Sequence, residues 1–228
     1  MTQLQFLAHT KIYTTARIWN LKGDVLAELS GHRGRVTNAQ FVLNRDLILT
    51  ASYDKTAYLW NFQGQPLTEF KGHQDRVYSV DSSSDGQFVL TASKDKIVKI
   101  WDIQGNFLLN LQGHQGIVVN AQFSLDDELI ASASVDKTVR VWTREGQLLA
   151  VLKGHQGIVY SSQFSNDGKT ILTASQDETA RLWRTPENYK YPLSVACDRI
   201  RSYLKNNPEV DEEDRNLCDG IKSLEDEN

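Results

Sequence analysis

The chain has very little cysteine, methionine or proline. Among 228 residues there are two cysteines, one methionine and four prolines. Two cysteines are too few for a disulfide framework, and Cys197 and Cys218 do not have the spacing of a zinc site. We expect both thiols to be reduced, because disulfides are rare in cytoplasmic proteins. The sequence therefore predicts a cytoplasmic protein whose fold depends on neither disulfides nor metals.

Long hydrophobic runs and an excess of positive charge are also missing. No run of about 18 apolar residues exists, which argues against a membrane-spanning helix. The N-terminus lacks the charged and then apolar pattern of a signal peptide. The net charge is -4, whereas nucleic-acid-binding domains usually carry a basic face. Neither a membrane nor a nucleic acid is therefore expected as a partner.

A repeat of 41 residues is the strongest feature that the sequence does contain. A tryptophan recurs at this step at Trp19, Trp60, Trp101, Trp142 and Trp183. A Gly-His pair, a serine and an aspartate follow the same step in four consecutive copies without insertion. A constant period of this length is typical of folds in which each copy forms one structural unit.

Each copy contains a histidine, a serine and an aspartate, the side-chain types of a charge-relay hydrolase. A catalytic site is needed once, whereas these groups recur on four equivalent units, which favours a structural network. The four histidines belong to different units and would not converge on one metal ion. The sequence therefore predicts no catalytic residues, no metal ligands and no cofactor.

Residues 113–153 illustrate the structure that one copy predicts. The run IVVNAQFS alternates and is rich in β-branched and aromatic residues, and LIASAS, VRVWT and QLLAVLK follow it after short turns. Two of the equivalent turns elsewhere contain Asp-Gly, a signal for tight hairpins. Four short antiparallel strands form one twisted sheet, and such sheets pack radially in β-propellers. The predicted class is all-β.

The order Gly-His, a strand pair, Asp and then Trp after five further residues resembles the WD40 repeat. The resemblance covers about residues 12–193 and implies an incomplete WD40 β-propeller with a short C-terminal helical tail. We expect four full four-stranded blades and a partial N-terminal blade. The predicted boundaries are a partial unit 1–30, full units 31–71, 72–112, 113–153 and 154–193, and a tail 194–228.

A hydrogen-bonded network inside each blade is a further implication of the resemblance. In this family one histidine, one serine or threonine, one aspartate and one tryptophan form the network. The resemblance assigns it to His32, Ser52, Asp54, Trp60; His73, Ser93, Asp95, Trp101; His114, Ser134, Asp136, Trp142; and His155, Ser175, Asp177, Trp183. Hydroxyls two residues earlier share the same strand face, and the sequence leaves the choice open. These are Thr50, Thr91, Ser132 and Thr173.

Both ends of the repeat region depart from the pattern. Alignment of Trp19 with the later tryptophans puts Tyr13 in place of the aspartate and Lys11 in place of the serine, so the partial unit has lost its network. At the other end, Pro192 interrupts the fourth strand that is expected near 188–194. Unpaired strand edges favour association. Three outcomes follow for such an open arc: self-association with a second copy through open blade edges, descent as a fragment of a longer ancestral protein, or closure of the ends in an unusually small ring.

The tail at 194–228 predicts two short helices. Ile200 and Leu204 lie on the apolar face of the first, and Asp211 has the position of an N-cap for the second. The segment resembles the helical ending that follows the last repeat of large bacterial WD40 proteins. The resemblance implies the C-terminal portion of such a protein, with the tail packed on the last unit as a cap.

Partner binding is expected where WD40 propellers carry their Gly-His loops and Asp turns. By resemblance three variable positions of each unit lie there: Arg35, Thr37, Tyr53; Arg76, Tyr78, Lys94; Ile117, Val119, Val135; and Ile158, Tyr160, Gln176. Two units offer Arg, Lys and Tyr and two offer Ile, Val and Tyr, a composition that suits a protein partner.

The function expected from these features is a non-catalytic scaffold for protein–protein interactions in signalling or complex assembly. One alternative is a propeller-fold hydrolase, which would need a singular polar cluster near the central axis, and the sequence does not reveal one. The other alternative is a degenerate fragment without a function of its own.

Overall fold

A computed structural model describes residues 5–6, 14–42 and 45–186. Over these residues the secondary structure is all β, as predicted, and the strands belong to one compact unit, Met1–Thr185. The predicted helical tail at 194–228 and the fourth strand expected near 188–194 lie outside the described residues.

Eighteen strands follow one another in the described part of the chain. They are β1 Gln5–Phe6, β2 Thr15–Trp19, β3 Val25–Ser30, β4 Val36–Phe41, β5 Leu47–Ser52, β6 Thr56–Asn61, β7 Pro66–Lys71, β8 Val77–Ser82, β9 Phe88–Ser93, β10 Val98–Asp102, β11 Phe107–Leu111, β12 Val118–Phe123, β13 Leu129–Ser134, β14 Thr138–Thr143, β15 Leu148–Lys153, β16 Val159–Phe164, β17 Thr170–Ser175 and β18 Ala180–Arg184.

The strands form five antiparallel sheets in which chain neighbours pair. The first sheet is β1-β2-β3, the second β4-β5-β6-β7, the third β8-β9-β10-β11, the fourth β12-β13-β14-β15 and the fifth β16-β17-β18. Each four-stranded sheet is one 41-residue copy of the sequence repeat. Within each four-stranded sheet, short hairpins suffice because every connection joins antiparallel neighbours.

The first strand of each of the last four sheets carries the same irregularity. In the second sheet Val36 pairs with Ser52, but the next pair is Asn38 with Ala51, so one residue is bulged out. The third, fourth and fifth sheets have the same register shift after their first valine. A bulge bends the strand and increases its twist. The repeated bulge therefore gives each sheet the same local shape next to its Asp turn.

Hydrophobic cores lie between successive sheets. One buried cluster joins Leu49 and Leu59 of the second sheet to Val80 and Trp101 of the third, and a similar cluster joins the third to the fourth. Full burial of a large apolar side chain contributes about 1.5–3 kcal/mol. Strand β13 is buried along its whole length, whereas the outer strand β7 is mostly exposed. The stability of each sheet therefore depends on its neighbours.

The fifth sheet has one apolar face that no following sheet covers within the described residues. Leu182 is 73% exposed and Leu172 45%. Their equivalents in the second, third and fourth sheets are at most 3% exposed. Ala174 and Ala180 are also exposed, although their equivalents are buried. We call the surface formed by Leu172, Ala174, Ala180 and Leu182 the open face.

Candidate functional site

The histidine end, defined as the end of each sheet where the Gly-His loop meets the Asp turn, is held by a buried polar network. In the second sheet His32 Nδ1 lies 2.8 Å from Asp54 Oδ2, and His32 Nε2 lies 2.7 Å from Thr50 Oγ1. Trp60 Nε1 donates to the same hydroxyl at 2.8 Å. Asp54 also accepts the Arg33 N–H. Loop, turn and two strands are thus connected through one chain of hydrogen bonds.

The same network recurs in the other three complete copies of the repeat. His73, His114 and His155 contact Asp95, Asp136 and Asp177 at 2.7–2.8 Å. The bridging hydroxyls lie 2.8 Å from the histidine Nε2 and accept the indole N–H of Trp101, Trp142 and Trp183 at 2.8–2.9 Å. Because all four copies are equivalent, the network has the geometry of a structural element.

The bridging hydroxyl is not the serine that the sequence assignment named. Thr50, Thr91, Ser132 and Thr173 form the bridge, whereas Ser52, Ser93, Ser134 and Ser175 accept the backbone N–H of Asp54, Asp95, Asp136 and Asp177. Strand pairing explains the correction.

Thr50 pairs with Tyr58, and Trp60 lies two residues farther along on the same face. The indole therefore reaches its diagonal neighbour Thr50, within the range of large side chains. Ser52 lies a further strand step away at the turn, where it closes the backbone of the Asp turn instead.

The aspartates of the network remain ionised. Burial raises the pKa of the Asp54 carboxyl, but hydrogen bonds from His32, Thr56 and the Arg33 N–H outweigh it and leave the pKa well below its ordinary value. A carboxylate only accepts, so the histidine Nδ1 carries a proton. The hydroxyl accepts the indole N–H and donates its own hydrogen to Nε2. Every polar atom of the chain is then satisfied, which fixes one arrangement.

A glycine permits the close approach of loop and turn. A Cβ at Gly34 would lie 2.6 Å from the backbone nitrogen of Asp54, and one at Gly116 would lie 2.7 Å from that of Asp136. Both contacts involve backbone, so no side-chain rotation would relieve them. The histidine loops therefore lie directly on the Asp turns.

The sequence predicts a defective network in the first sheet. Among the described residues, the Nε1 of Trp19 is buried and has no hydrogen-bond partner. The positions that would supply the aspartate and hydroxyl, Tyr13 and Lys11, lie outside the described residues. The loss of the network in the first sheet therefore stays a prediction.

The variable residues predicted to bind a partner lie at the histidine end. Backbone hydrogen bonds join Tyr53 to Arg35, Lys94 to Arg76, Val135 to Ile117 and Gln176 to Ile158. Thr37 donates to the carbonyl of Val77 in the next sheet. Tyr78, Val119 and Tyr160 belong to the first strands of their sheets, and Tyr160 is 54% exposed.

An arginine–tyrosine cluster joins the second and third sheets at this end. The Arg76 guanidinium lies 4.4 Å from the ring centre of Tyr53, and that of Arg35 lies 5.9 Å from it. The Tyr53 and Tyr78 rings meet edge to face at 5.5 Å. Burial raises the pKa of the Tyr78 hydroxyl, and the charge of the neighbouring Arg76 opposes this rise. Both arginines are exposed although their neighbours hold them in place.

A polar cluster that the sequence analysis missed lies at the opposite end of the sheets. Asp81 stands where the other copies have glutamine, accepts the Gln40 side-chain amide at 2.6 Å and accepts the Phe123 N–H at 2.8 Å. Asp127 accepts the N–H and hydroxyl of Ser84. Both carboxylates line a pocket of about 200 Å³. Burial raises the pKa of Asp81 to about 6.

This cluster occurs once among the described residues. The sequence indicates it only through residues that differ from those at the equivalent positions of the repeat. Asp127 has φ 59° at a position where Gly86 and Gly168 also have positive φ. Each carboxylate bridges neighbouring sheets, which is a structural role in itself. The Ser84 hydroxyl contacts the Asp127 carboxylate, but no histidine lines the pocket, and the described residues contain no group of three His, Cys, Asp or Glu side chains suited to a metal.

Four repeats of the chain match a known family model. The family is described as WD domain, G-beta repeat, and the matches cover residues 23–61, 64–102, 105–143 and 146–184. The chain therefore belongs to the WD40-repeat family, and the resemblance noted in the sequence is confirmed. Each match spans the last strand of one sheet and the first three strands of the next.

A comparison with curated proteins finds no match to this chain. In the described part of the chain, no helix has the length and apolar character needed to cross a membrane. WD40 repeats in general serve as scaffolds for protein interactions.

Proposed function

We propose that this chain is a non-catalytic scaffold that binds a protein partner at the histidine end, in signalling or complex assembly in the cytoplasm. The observation that carries the proposal is a contrast within each repeat. The buried network is identical in kind in four sheets, whereas the side chains above it change from sheet to sheet. A constant support with variable exposed residues is the arrangement that recognition requires.

Variants at opposite ends of the sheets test this proposal. The paired change Tyr53→Ala and Tyr160→Ala removes two aromatic side chains from the histidine end, and Leu125→Ala removes a 60% exposed side chain from the opposite end. A peptide array first identifies the peptides that the unchanged protein binds. We expect the paired change to abolish binding to these peptides, whereas Leu125→Ala should leave their binding intact. Equal retention by all three proteins would refute a partner site at the histidine end.

We also propose that the open face mediates self-association. In the second, third and fourth sheets, the residues equivalent to its leucines are buried. Exposed apolar patches of this kind mark interaction surfaces. Light scattering on a sizing column is expected to give a mass above that of one chain, and Leu182→Arg should reduce it to one chain. Leu67→Arg, on the exposed outer strand β7, is the matched control and should leave the mass unchanged. A single-chain mass before any substitution contradicts the proposal.

A hydrolase remains the second candidate, because the histidine, serine and aspartate types are present. It predicts that turnover of an ester substrate is lost in His114→Ala and kept in His73→Ala. The scaffold predicts no turnover in any of these proteins, since both histidines have the same contacts.

A further inference from the structure

We propose that the second and third sheets bind the anionic part of a protein partner, a carboxylate or a phosphate, while the fourth and fifth sheets bind its aliphatic part. This inference rests on the proposed partner site at the histidine end and specifies the chemistry and direction of the bound segment. Its basis is a difference in charge, stacking and hydropathy between the two halves of one surface.

Charge differs sharply between the two halves of the histidine end. In the second and third sheets the Gly-His loops and Asp turns carry six basic side chains and three carboxylates: Arg33, Arg35, Lys55, Arg76, Lys94 and Lys96 against Asp54, Asp75 and Asp95. In the fourth and fifth sheets they carry one basic side chain and three carboxylates: Lys137 against Asp136, Asp177 and Glu178. One half is therefore positive and the other negative, which favours one orientation of a charged ligand.

The arginines of the positive half are held in place before a ligand arrives. The Arg76 guanidinium stacks on the Tyr53 ring at 4.4 Å, that of Arg35 lies 5.9 Å from the same ring, and Tyr78 packs edge to face against it at 5.5 Å. Side chains ordered in advance lose less conformational entropy on binding. Guanidinium groups bind carboxylate and phosphate oxygens through paired N–H donors. Two exposed guanidinium groups around one ring therefore suit a single oxyanion group.

The Lys94 side chain is a third cation, and it can turn from its present partner toward a bound anion. Lys94 forms an exposed ion pair with Asp75, at 3.2 Å and with side chains 40% and 38% exposed. Exposed pairs of this kind contribute little, so a stronger anion can replace Asp75 at small cost. Asp75 also accepts the backbone N–H of Arg76 and therefore remains in place when Lys94 turns away. Lys94 is thus available to a bound anion beside the arginines.

The other half offers apolar side chains at the equivalent positions. Ile117 and Ile158 replace the two arginines, and Val135 replaces the tyrosine. These residues are only partly buried, and Tyr160 beside them is 54% exposed. An aliphatic or aromatic segment would bury this surface, whereas a second anionic group would meet the half with the net negative charge. The gradient therefore selects a segment that is acidic at one end and apolar at the other.

Four nine-residue peptides test the proposal by fluorescence anisotropy. One has glutamates in one half and leucines in the other, the second has phosphoserine in place of glutamate, the third has glutamine, and the fourth is a scrambled form of the first. We expect the first two to bind, the glutamine form to bind at least tenfold more weakly, and added salt to weaken binding. The ratio between glutamate and phosphoserine affinities identifies the preferred anion.

Variants locate the anion site. Arg76→Gln and Arg35→Gln should each weaken the glutamate peptide about tenfold, the loss expected for one charged hydrogen bond. Arg76→Lys should weaken binding less than Arg76→Gln does, because an ammonium keeps the positive charge but loses the planar stack on Tyr53. Lys153→Gln, an exposed lysine on the outer strand β15, is the matched control and should have no effect.

The outcomes separate this inference from the proposed function. Binding of the glutamine peptide as tight as that of the glutamate peptide, together with loss in Tyr53→Ala and Tyr160→Ala, would refute anion recognition and keep the partner site. Glutamate-dependent binding that is unchanged in both arginine variants would also refute the inference. If no peptide of any composition binds the histidine end, both proposals fail.

Discussion

Removal of the bridging hydroxyl in the third sheet should destabilise the protein far more than removal of the neighbouring serine hydroxyl. Thr91→Val keeps the shape of the side chain but leaves His73 Nε2 and Trp101 Nε1 without their partner. Both contacts are buried, and each unsatisfied group costs about 1–3 kcal/mol. We therefore expect a loss of about 2–6 kcal/mol in the free energy of unfolding.

The matched variants differ in what they leave unpaired. Thr91→Ser keeps the hydroxyl, as the fourth sheet does naturally with Ser132, and should cost about 0.8 kcal/mol for the lost methyl group. Ser93→Ala removes a hydroxyl that accepts the Asp95 N–H and donates to the Asp75 carbonyl. Both of these contacts are only partly buried and lie in the loop and turn, so we expect the free energy of unfolding to fall by about 1 kcal/mol.

Urea unfolding followed by tryptophan fluorescence and circular dichroism measures all three variants. Exchange of the Trp101 indole hydrogen, followed by NMR, should accelerate in Thr91→Val and stay slow in Thr91→Ser. A cost for Ser93→Ala equal to that of Thr91→Val, or a cost below about 1 kcal/mol for Thr91→Val, would refute the assignment of the bridge.

Two further predictions concern charge and backbone. Burial raises the pKa of Asp81 from its ordinary 3.8 to about 6, so the folded protein holds this proton more tightly than the unfolded chain. The stability that this group contributes is complete below about pH 4 and is lost as the pH rises through 6. Between pH 4 and pH 7, the free energy of unfolding of Asp81→Asn should therefore rise by up to about 3 kcal/mol relative to that of the unchanged protein, as measured by urea unfolding. A difference that stays constant with pH would contradict the shift. Gly116→Ala places a Cβ 2.7 Å from a backbone nitrogen and should lower the melting temperature clearly more than Gly168→Ala, whose Cβ meets nothing within 4 Å despite a φ of +68°. Equal melting temperatures would contradict the close approach of loop and turn.

The fold followed from the sequence because the repeat carries several consistent signals. A constant spacing of tryptophan, Gly-His and Asp-turn residues defined each unit, and the alternating runs within a unit defined its strands. The choice between two hydroxyls on one strand face did not follow, because Thr50 and Ser52 point the same way and differ only in depth. Strand register decides that choice, and register is a property of the paired strands.

The cluster around Asp81 and Asp127 was missed for a different reason. Both aspartates depart from the repeat: Asp81 occupies a position that glutamine fills in the other copies, and Asp127 occupies one that glycine fills in two of them. Their connection depends on the packing of three sheets, since Asp81 contacts Gln40 in the second sheet and Phe123 in the fourth. The exposure of Leu182 follows from its place in the last described sheet, since its sequence context matches that of buried equivalents.

Hydrogen–deuterium exchange with and without the glutamate–leucine peptide tests the central claim most directly, because it reports where a partner binds without any substitution. The account predicts slower exchange at the histidine end, in the Gly-His loops 31–35 and 72–76 and in the Asp turns 53–56 and 94–97. It predicts no change in the turns 83–87 and 124–128 at the opposite end. Protection confined to those opposite turns would contradict the claim that the repeated networks support a partner-binding surface.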